Sequence, residues 1–279
     1  MSINLAAPLL VLAALRLEVS GVDRALDGAR REAVKGLTVT LGSLGGRPVV
    51  VATSGAGGQR AAEAARFLCR RYRPAALIST GLAGGLDPSL AAGHAVVSQR
   101  VKRALVTGRE RPLLASDAEL RCEEALVQAA RETLRSLGLP HVVSDCATGE
   151  RLLASAQEKR QAWNYLNAGV VDLESYWACR EAASLGVPFL VVRVVLDPCD
   201  TSLPMDNVLA PHGFTPVGAL RYLMRRPWQT AAAVGLALHL LRARRRLTRL
   251  LIALATHCPA PVHVGGAAPP DLQGSMTVS

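Results

Sequence analysis

The sequence predicts an α/β fold: a three-layer domain with a central mixed sheet, followed by a C-terminal helical extension. Two observations carry this. From residue 8 to residue 200, short apolar runs alternate with stretches of helical periodicity, and several of those runs end in a glycine cluster or a carboxylate. The clearest unit spans residues 169–200. Its short apolar run ends at Asp172 and Glu174, and an alanine-rich helix over residues 175–185 is stopped by Gly186 with Pro188 just beyond. A β-branched run over residues 189–195 then halts at Asp197-Pro198. Ligands of open α/β sheets bind at the carboxyl ends of strands, so this unit aims Glu174 and Asp197 at one pocket.

Taken in order, residues 8–14 form the first buried strand. The apolar run 5–15 is too short to span a bilayer and lacks a basic leader or cleavage pattern, so a cytoplasmic protein is expected. Residues 16–31 alternate apolar and charged positions at helical spacing, with Glu18 at the strand–helix junction. Residues 38–41 and 47–53 read as strands about the turn 42–46. The segment Ser54-Gly55-Ala56-Gly57-Gly58 leads into a helix over 59–72, an arrangement suited to binding anions or hydroxyls through backbone N–H groups. Its glycine spacing, and the lack of an acid after the next strand, exclude a dinucleotide fingerprint.

That next strand, 75–79, ends in a second glycine-rich turn over 80–88, and 93–101 is a further strand. Residues 116–137 read as an amphipathic helix with Ser116 as N-cap, Glu119 in capping-box position and Gly138 as its stop. Residues 141–144 form a short strand, 145–149 a loop, and 151–164 a polar helix.

The formal charge of +10 is local: residues 207–270 contain no Asp or Glu but eight arginines (221, 225, 226, 242, 244, 245, 246 and 249), which supply +8 of it. The rest is near neutral, which excludes a basic nucleic-acid-binding surface. Six scattered cysteines with no C-x-x-C pair predict buried thiols, with neither a disulfide framework nor a metal site. Aromatics at 4% leave a core of Ala, Val and Leu. Three segments follow: an α/β domain over 1–210, a basic amphipathic helical extension over 211–258 broken by Pro227, and a Pro/Gly/Ala-rich tail over 259–279 expected to be disordered. The extension's apolar stretches are too short to cross a bilayer. Its arginines suit either the surface of an anionic membrane or helices packed on the domain with their charges in water.

Three stretches resemble one family in order and spacing. Residues 79–88, STGLAGGLDP, resemble a glycine turn of purine nucleoside phosphorylases and methylthioadenosine nucleosidases. Residues 171–175, VDLES, and residues 187–197, VPFLVVRVVLD, resemble their acidic motif and closing strand. The match runs from residue 8 to residue 200, which makes 1–210 the catalytic domain. The segments DLESYW and LDPCD, with the basic tail, look most like hopanoid-associated phosphorylases. That resemblance implies release of adenine from adenosylhopane, leaving a ribosyl- or phosphoribosylhopane, at the inner face of the cell membrane. A soluble purine nucleoside such as methylthioadenosine, or nucleoside binding without catalysis, are the alternatives. The family also implies a homo-oligomer, a dimer, and no cofactor, with phosphate as the candidate co-substrate.

Cleaving an N-glycosidic bond builds positive charge on the sugar and negative charge on the base. Asp197 matches the family's base-binding acid and would protonate purine N7. Glu174, with Asp172 beside it, would accept hydrogen bonds from the ribose hydroxyls, and Glu18 would order an attacking water. Arg193 lies in a buried run and needs a partner, either an active-site carboxylate, a phosphate or a structural ion pair. Gly55, Thr80, Gly81 and Gly84 form the ligand loops, where glycine admits close backbone approach. Three departures from the family pattern stand out. Ser79 and Leu82 occupy the positions of the usual phosphate grip, Thr148 stands in the base loop where nucleosidases stack an aromatic ring, and Leu196 replaces the serine before the closing aspartate.

Overall fold

The computed structural model describes residues 7–105, 114–202 and 230–257. In chain order the elements are β1 (Leu9–Ala13), α1 (Arg16–Ala25), β2 (Asp27–Val34), β3 (Leu37–Leu44), β4 (Arg47–Thr53), α2 (Gly58–Tyr72), β5 (Ala76–Gly85), β6 (Ala95–Leu105), β7 (Leu114–Arg121), α3 (Glu124–Ser136), β8 (His141–Thr148), α4 (Ala156–Leu166), β9 (Val170–Asp172), α5 (Ser175–Ser184), β10 (Phe189–Asp197) and α6 (Thr230–His257). The sheet runs β10-β6-β8-β9-β5-β1-β4-β3-β2, with β7 on β6. It is mixed, as predicted. Strands β4, β1, β5 and β10 are parallel, whereas β6 is antiparallel to β10 and β9 to β5. Because β10 also pairs with β5, five strands close into a ring, and the ends of β5, β9 and β10 meet at one mouth. β1 and β10, each flanked by strands on both sides, read as buried runs, apolar throughout in β1 and interrupted in β10 by Arg193.

Several elements differ from expectation. The helix expected over 16–31 stops at Ala25, and residues 27–34 form an exposed strand on β3, its charges decorating a sheet edge. The turn expected over 42–46 shrinks to Gly45-Gly46, both at positive φ, as a two-residue hairpin requires. Residues 114–121 pair with β6, so the helix expected from Ser116 starts at Glu124; Gly138, at φ 61°, still follows its end. The turn expected over 80–88 is in large part strand, since Gly84 and Gly85 pair with Val171 and Val170. The loop expected over 145–149 is strand as far as Thr148, held between β6 and β9. The polar helix begins at Ala156, capped by Ser155, whose hydroxyl accepts from the Glu158 N–H.

One face of the described C-terminal extension belongs to the core. Ala243, Leu247, Leu250, Leu251, Leu254 and Ala255 of α6 are fully excluded from solvent in the same cluster as β1 and β10, and α6 packs on α1, α3 and β10. Two of its arginines serve the domain: Arg244 donates to the Leu17 carbonyl (2.7 Å) and Ser20 Oγ (2.9 Å), and Arg246 to the Gly93 carbonyl (2.7 Å). Among the described residues no helix is long and apolar enough to cross a membrane. Pro227, Arg221, Arg225, Arg226 and the tail 259–279 lie outside the described residues.

Candidate active site

Four charged side chains meet where β1, β5, β9 and β10 converge. Glu18, in the first turn of α1, folds its carboxylate back to accept from the Leu15 N–H and forward to accept from the Leu82 N–H, both at 2.8 Å. It is only 5% exposed. Burial pushes its pKa up, while the two amides and Arg193 pull it back. A Cβ on Gly81 would lie 2.6 Å from Glu18 Oε1, and Gly81 sits at φ 152°, so β5 can pass here only as glycine.

Arg193 resolves into an ion pair. Its Nε donates to Asp172 Oδ2 at 2.7 Å, and its Nη2 to Ser175 Oγ at 2.7 Å and Ser79 Oγ at 3.0 Å. Burial opposes its charge, and Asp172, foremost among its neighbours, outweighs that and keeps it protonated. Asp172 is correspondingly spent. Oδ1 accepts from Thr148 Oγ1 (2.8 Å) and the Ser175 N–H (3.2 Å), and Oδ2 accepts from Arg193 and the Ser175 hydroxyl. Asp172, expected beside Glu174 as a ribose ligand, has its carboxylate engaged by the protein, where it partners a buried guanidinium that would be costly to leave unpaired. Thr148, expected in the base loop, has a hydroxyl that also accepts from the Tyr176 N–H at 2.9 Å, which makes it a brace under the start of α5.

Glu174 stands at the N-terminus of α5. Oε1 accepts from the Gly57 N–H at 2.8 Å and Oε2 from the Leu173 N–H at 3.3 Å. Its pKa is pushed up to about 7, first by burial and then by the charge of Asp172. The glycine turn before α2 thus binds an anion as expected, but the anion is Glu174 and the donor is Gly57. Gly55, at φ 80°, spends its own N–H on the Ala14 carbonyl. Thr80, one step along β5 from Ser79 and Gly81, faces the other side of the sheet. Its hydroxyl is buried without a partner in the structure.

Asp197 closes β10, four residues and therefore ~13 Å beyond Arg193. It pairs in register with Gly84, whose hydrogen lies where a Cβ would be 3.5 Å from Asp197 Oδ2. Burial raises its pKa and Lys159 lowers it. The Lys159 ammonium, with the side chain fully buried, is 2.5 Å from Asp197 Oδ2. The sequence reading missed Lys159, although it lies on the stripe Ala156, Lys159, Ala162, Leu166 that forms the buried face of α4. A lysine on the one buried stripe of an otherwise polar helix was the available signal. Ser175 was missed as a member of the Arg193 network.

The arrangement thus gives a buried carboxylate, Glu18, and a half-buried one, Glu174, flanking a locked arginine, with a further buried carboxyl beyond them at the end of β10. Among the described residues no group of His, Cys, Asp and Glu is arranged to hold a metal.

Residues 8–211 match the family model described as the phosphorylase superfamily. The 5′-methylthioadenosine/S-adenosylhomocysteine nucleosidase of Shewanella baltica is 28% identical over 203 residues, covering 70% of this chain and 86% of that protein. Among solved structures, the nucleosidase of the same description from Neisseria meningitidis, in complex with methylthio-immucillin-A, aligns with a TM-score of 0.71 at 18% identity, covering 90% of this chain and 99% of that one. The futalosine hydrolase of Helicobacter pylori aligns with a TM-score of 0.70 at 16% identity, covering 89% and 97%. At those identities the two structures share the fold.

Proposed function

The chain belongs to the phosphorylase superfamily, and from that premise we propose that it hydrolyses the N-glycosidic bond of an adenine nucleoside, with Asp197, Glu174 and Glu18 acting on the base, ribose and water respectively. The observation that supports this reading is that Glu18 and Glu174 flank one locked arginine while Asp197 ends the strand that carries it, each carboxyl held by named amide or ammonium donors. The bond from C1′ to the purine nitrogen breaks as the Asp197 proton passes to N7, so the base leaves neutral. Glu174 grips the 2′ and 3′ hydroxyls, and its charge favours the cationic sugar. Water then adds to C1′ and gives its proton to Glu18. Asp197 ends ionised and Glu18 protonated, and solvent exchange restores both. Water is favoured over phosphate as the nucleophile because Arg193, the cation beside these acids, is already held by Asp172, Ser79 and Ser175.

The finer substrate reading is adenosylhopane, taken up at the inner membrane face. It is supported by the resemblance of DLESYW, LDPCD and the basic tail, and by the outer stripe of α6, where exposed Leu238 and Leu241 run into exposed Arg242, Arg245 and Arg249. The test is adenine release from adenosylhopane in detergent and from methylthioadenosine in buffer, each with and without phosphate, with the sugar product weighed by mass spectrometry. Phosphate-independent release from the lipid is expected. Release only from methylthioadenosine defeats the lipid assignment, a sugar phosphate defeats water as nucleophile, and binding without turnover leaves a nucleoside-binding domain.

A further inference from the structure

We infer that Lys159 is the positioning residue for Asp197: it fixes the reacting carboxyl from behind, through Oδ2, and leaves Oδ1 for the purine. The inference rests on the proposed function.

Lys159 is 0% exposed, and its ammonium has three protons to satisfy away from water. The acceptors are Asp197 Oδ2 at 2.5 Å, the Thr201 carbonyl at 2.8 Å and the Pro198 carbonyl at 3.0 Å. The Asp197 carbonyl lies a little farther off at 3.4 Å. The turn that follows β10, closed by the Thr201 N–H on the Pro198 carbonyl, is thereby wrapped around a cation delivered by α4. A lysine that served only to fasten this turn to α4 could do so through the two carbonyls. Here it also takes one oxygen of Asp197. Position 196, immediately before the acid, is leucine, which offers it no hydrogen bond. Among the described residues no other side chain donates to the Asp197 carboxyl, so its rotamer and its charge both depend on Lys159.

Two consequences follow from chemistry. With Oδ2 anchored, the carboxyl can meet the base through one oxygen in one plane, which is what directing a proton to N7 requires. The adjacent ammonium also favours the ionised form, so it limits how high burial can push the acid. Cys199, on the segment after β10, also feels Lys159, and its other charged neighbours are Arg160 on α4, Asp200 and Asp87. Replacing Lys159 by an apolar chain removes an anchor and a charge together. Asp197 then holds its proton to higher pH, and the alkaline fall in kcat moves up.

Wild-type turnover is measured first. Its absence overturns the proposed function but not this inference, which the titration described below then decides. In Lys159→Met, kcat is expected to fall at least ~10-fold with KM little changed and the alkaline limb displaced upward. Lys159→Gln, which restores a neutral donor, is expected to recover part of kcat and keep the displaced limb. A folded Lys159→Met with wild-type kcat and an unmoved limb overturns the inference. If neither variant folds, the wild-type protein decides. The chain has only three lysines, Lys35, Lys102 and Lys159, and in protein carrying 15N at lysine Nζ, titration with adenine is expected to move the Lys159 signal alone. Lys35→Arg and Lys102→Arg assign the other two. A Lys159 signal indifferent to bound adenine overturns the inference.

Discussion

Glu174 is poised so that the fold and the chemistry make opposite demands on it, and Glu174→Gln separates them. Its carboxyl, moved from 4.5 to about 7, carries a penalty of about 3 kcal/mol when ionised, at 1.36 kcal/mol per pH unit. The sign follows from proton counting. Below pH 4.5 the group is protonated in both folded and unfolded chains and costs nothing. Between 4.5 and about 7 the unfolded chain releases its proton first, so stability falls as pH rises, and above pH 7 the full penalty is present. Glutamine removes the charge and keeps an oxygen for the Gly57 N–H. It turns an amide nitrogen toward the Leu173 N–H that Oε2 now accepts at 3.3 Å, a loss of about 1 kcal/mol. The net expectation at pH 8 is a gain of about 2 kcal/mol, roughly 4–8 °C in Tm. At pH 4 the gain disappears and the variant melts slightly lower than wild type. Calorimetric melting of both proteins across that range is the assay. A variant less stable at pH 8, or a difference that does not change with pH, refutes the burial argument. Loss of kcat/KM should accompany the added stability, as is usual where a site is held under strain.

Other expectations are independent of that one. Asp197→Asn should lower turnover by at least ~10² while leaving adenine binding measurable by calorimetry; a rate near wild type removes it as the proton donor. Glu18→Gln should lower kcat by a comparable ~10² with little change in KM, and an unchanged rate would leave the water without its base. Asp172→Asn strands a buried guanidinium and should destabilise by about 3–5 kcal/mol, read as a denaturant midpoint. Little change there would mean Arg193 finds another partner. Leu250→Ala, at a fully buried position on α6, should cost about 2–5 kcal/mol. A surface-like effect would contradict the packing of that helix into the core.

How far the sequence could be read depended on whether each decision was local. The unit from β9 to β10 was legible because its signals lie next to one another: an unbroken β-branched run, an alanine-rich helix and Gly186 behind it. Residues 114–121 were not, since Ser116 and Glu119 mimic a capped helix and only pairing with β6 makes them a strand. Glu18, Glu174 and Asp197 could be nominated from their places at strand ends. Which carboxylate is claimed by side chains and which by backbone amides was beyond one dimension. Asp172 and Glu174 are two residues apart, yet Thr148, Ser175 and Arg193 claim the first while backbone amides hold the second. Lys159 was hidden for the same reason, because its partner lies 38 residues further on.

The burial of α6 has a consequence for how the protein is made. Chains emerge from the ribosome N-terminus first and domains fold as units. Here the whole strand ring is synthesised before the helix that seals α1, α3 and β10. Until that helix arrives the nascent chain carries its proposed catalytic residues on a sheet with one apolar flank open to solvent, a state that invites chaperones. A premature stop after β10 would leave every proposed catalytic group encoded and yield a protein fit for degradation.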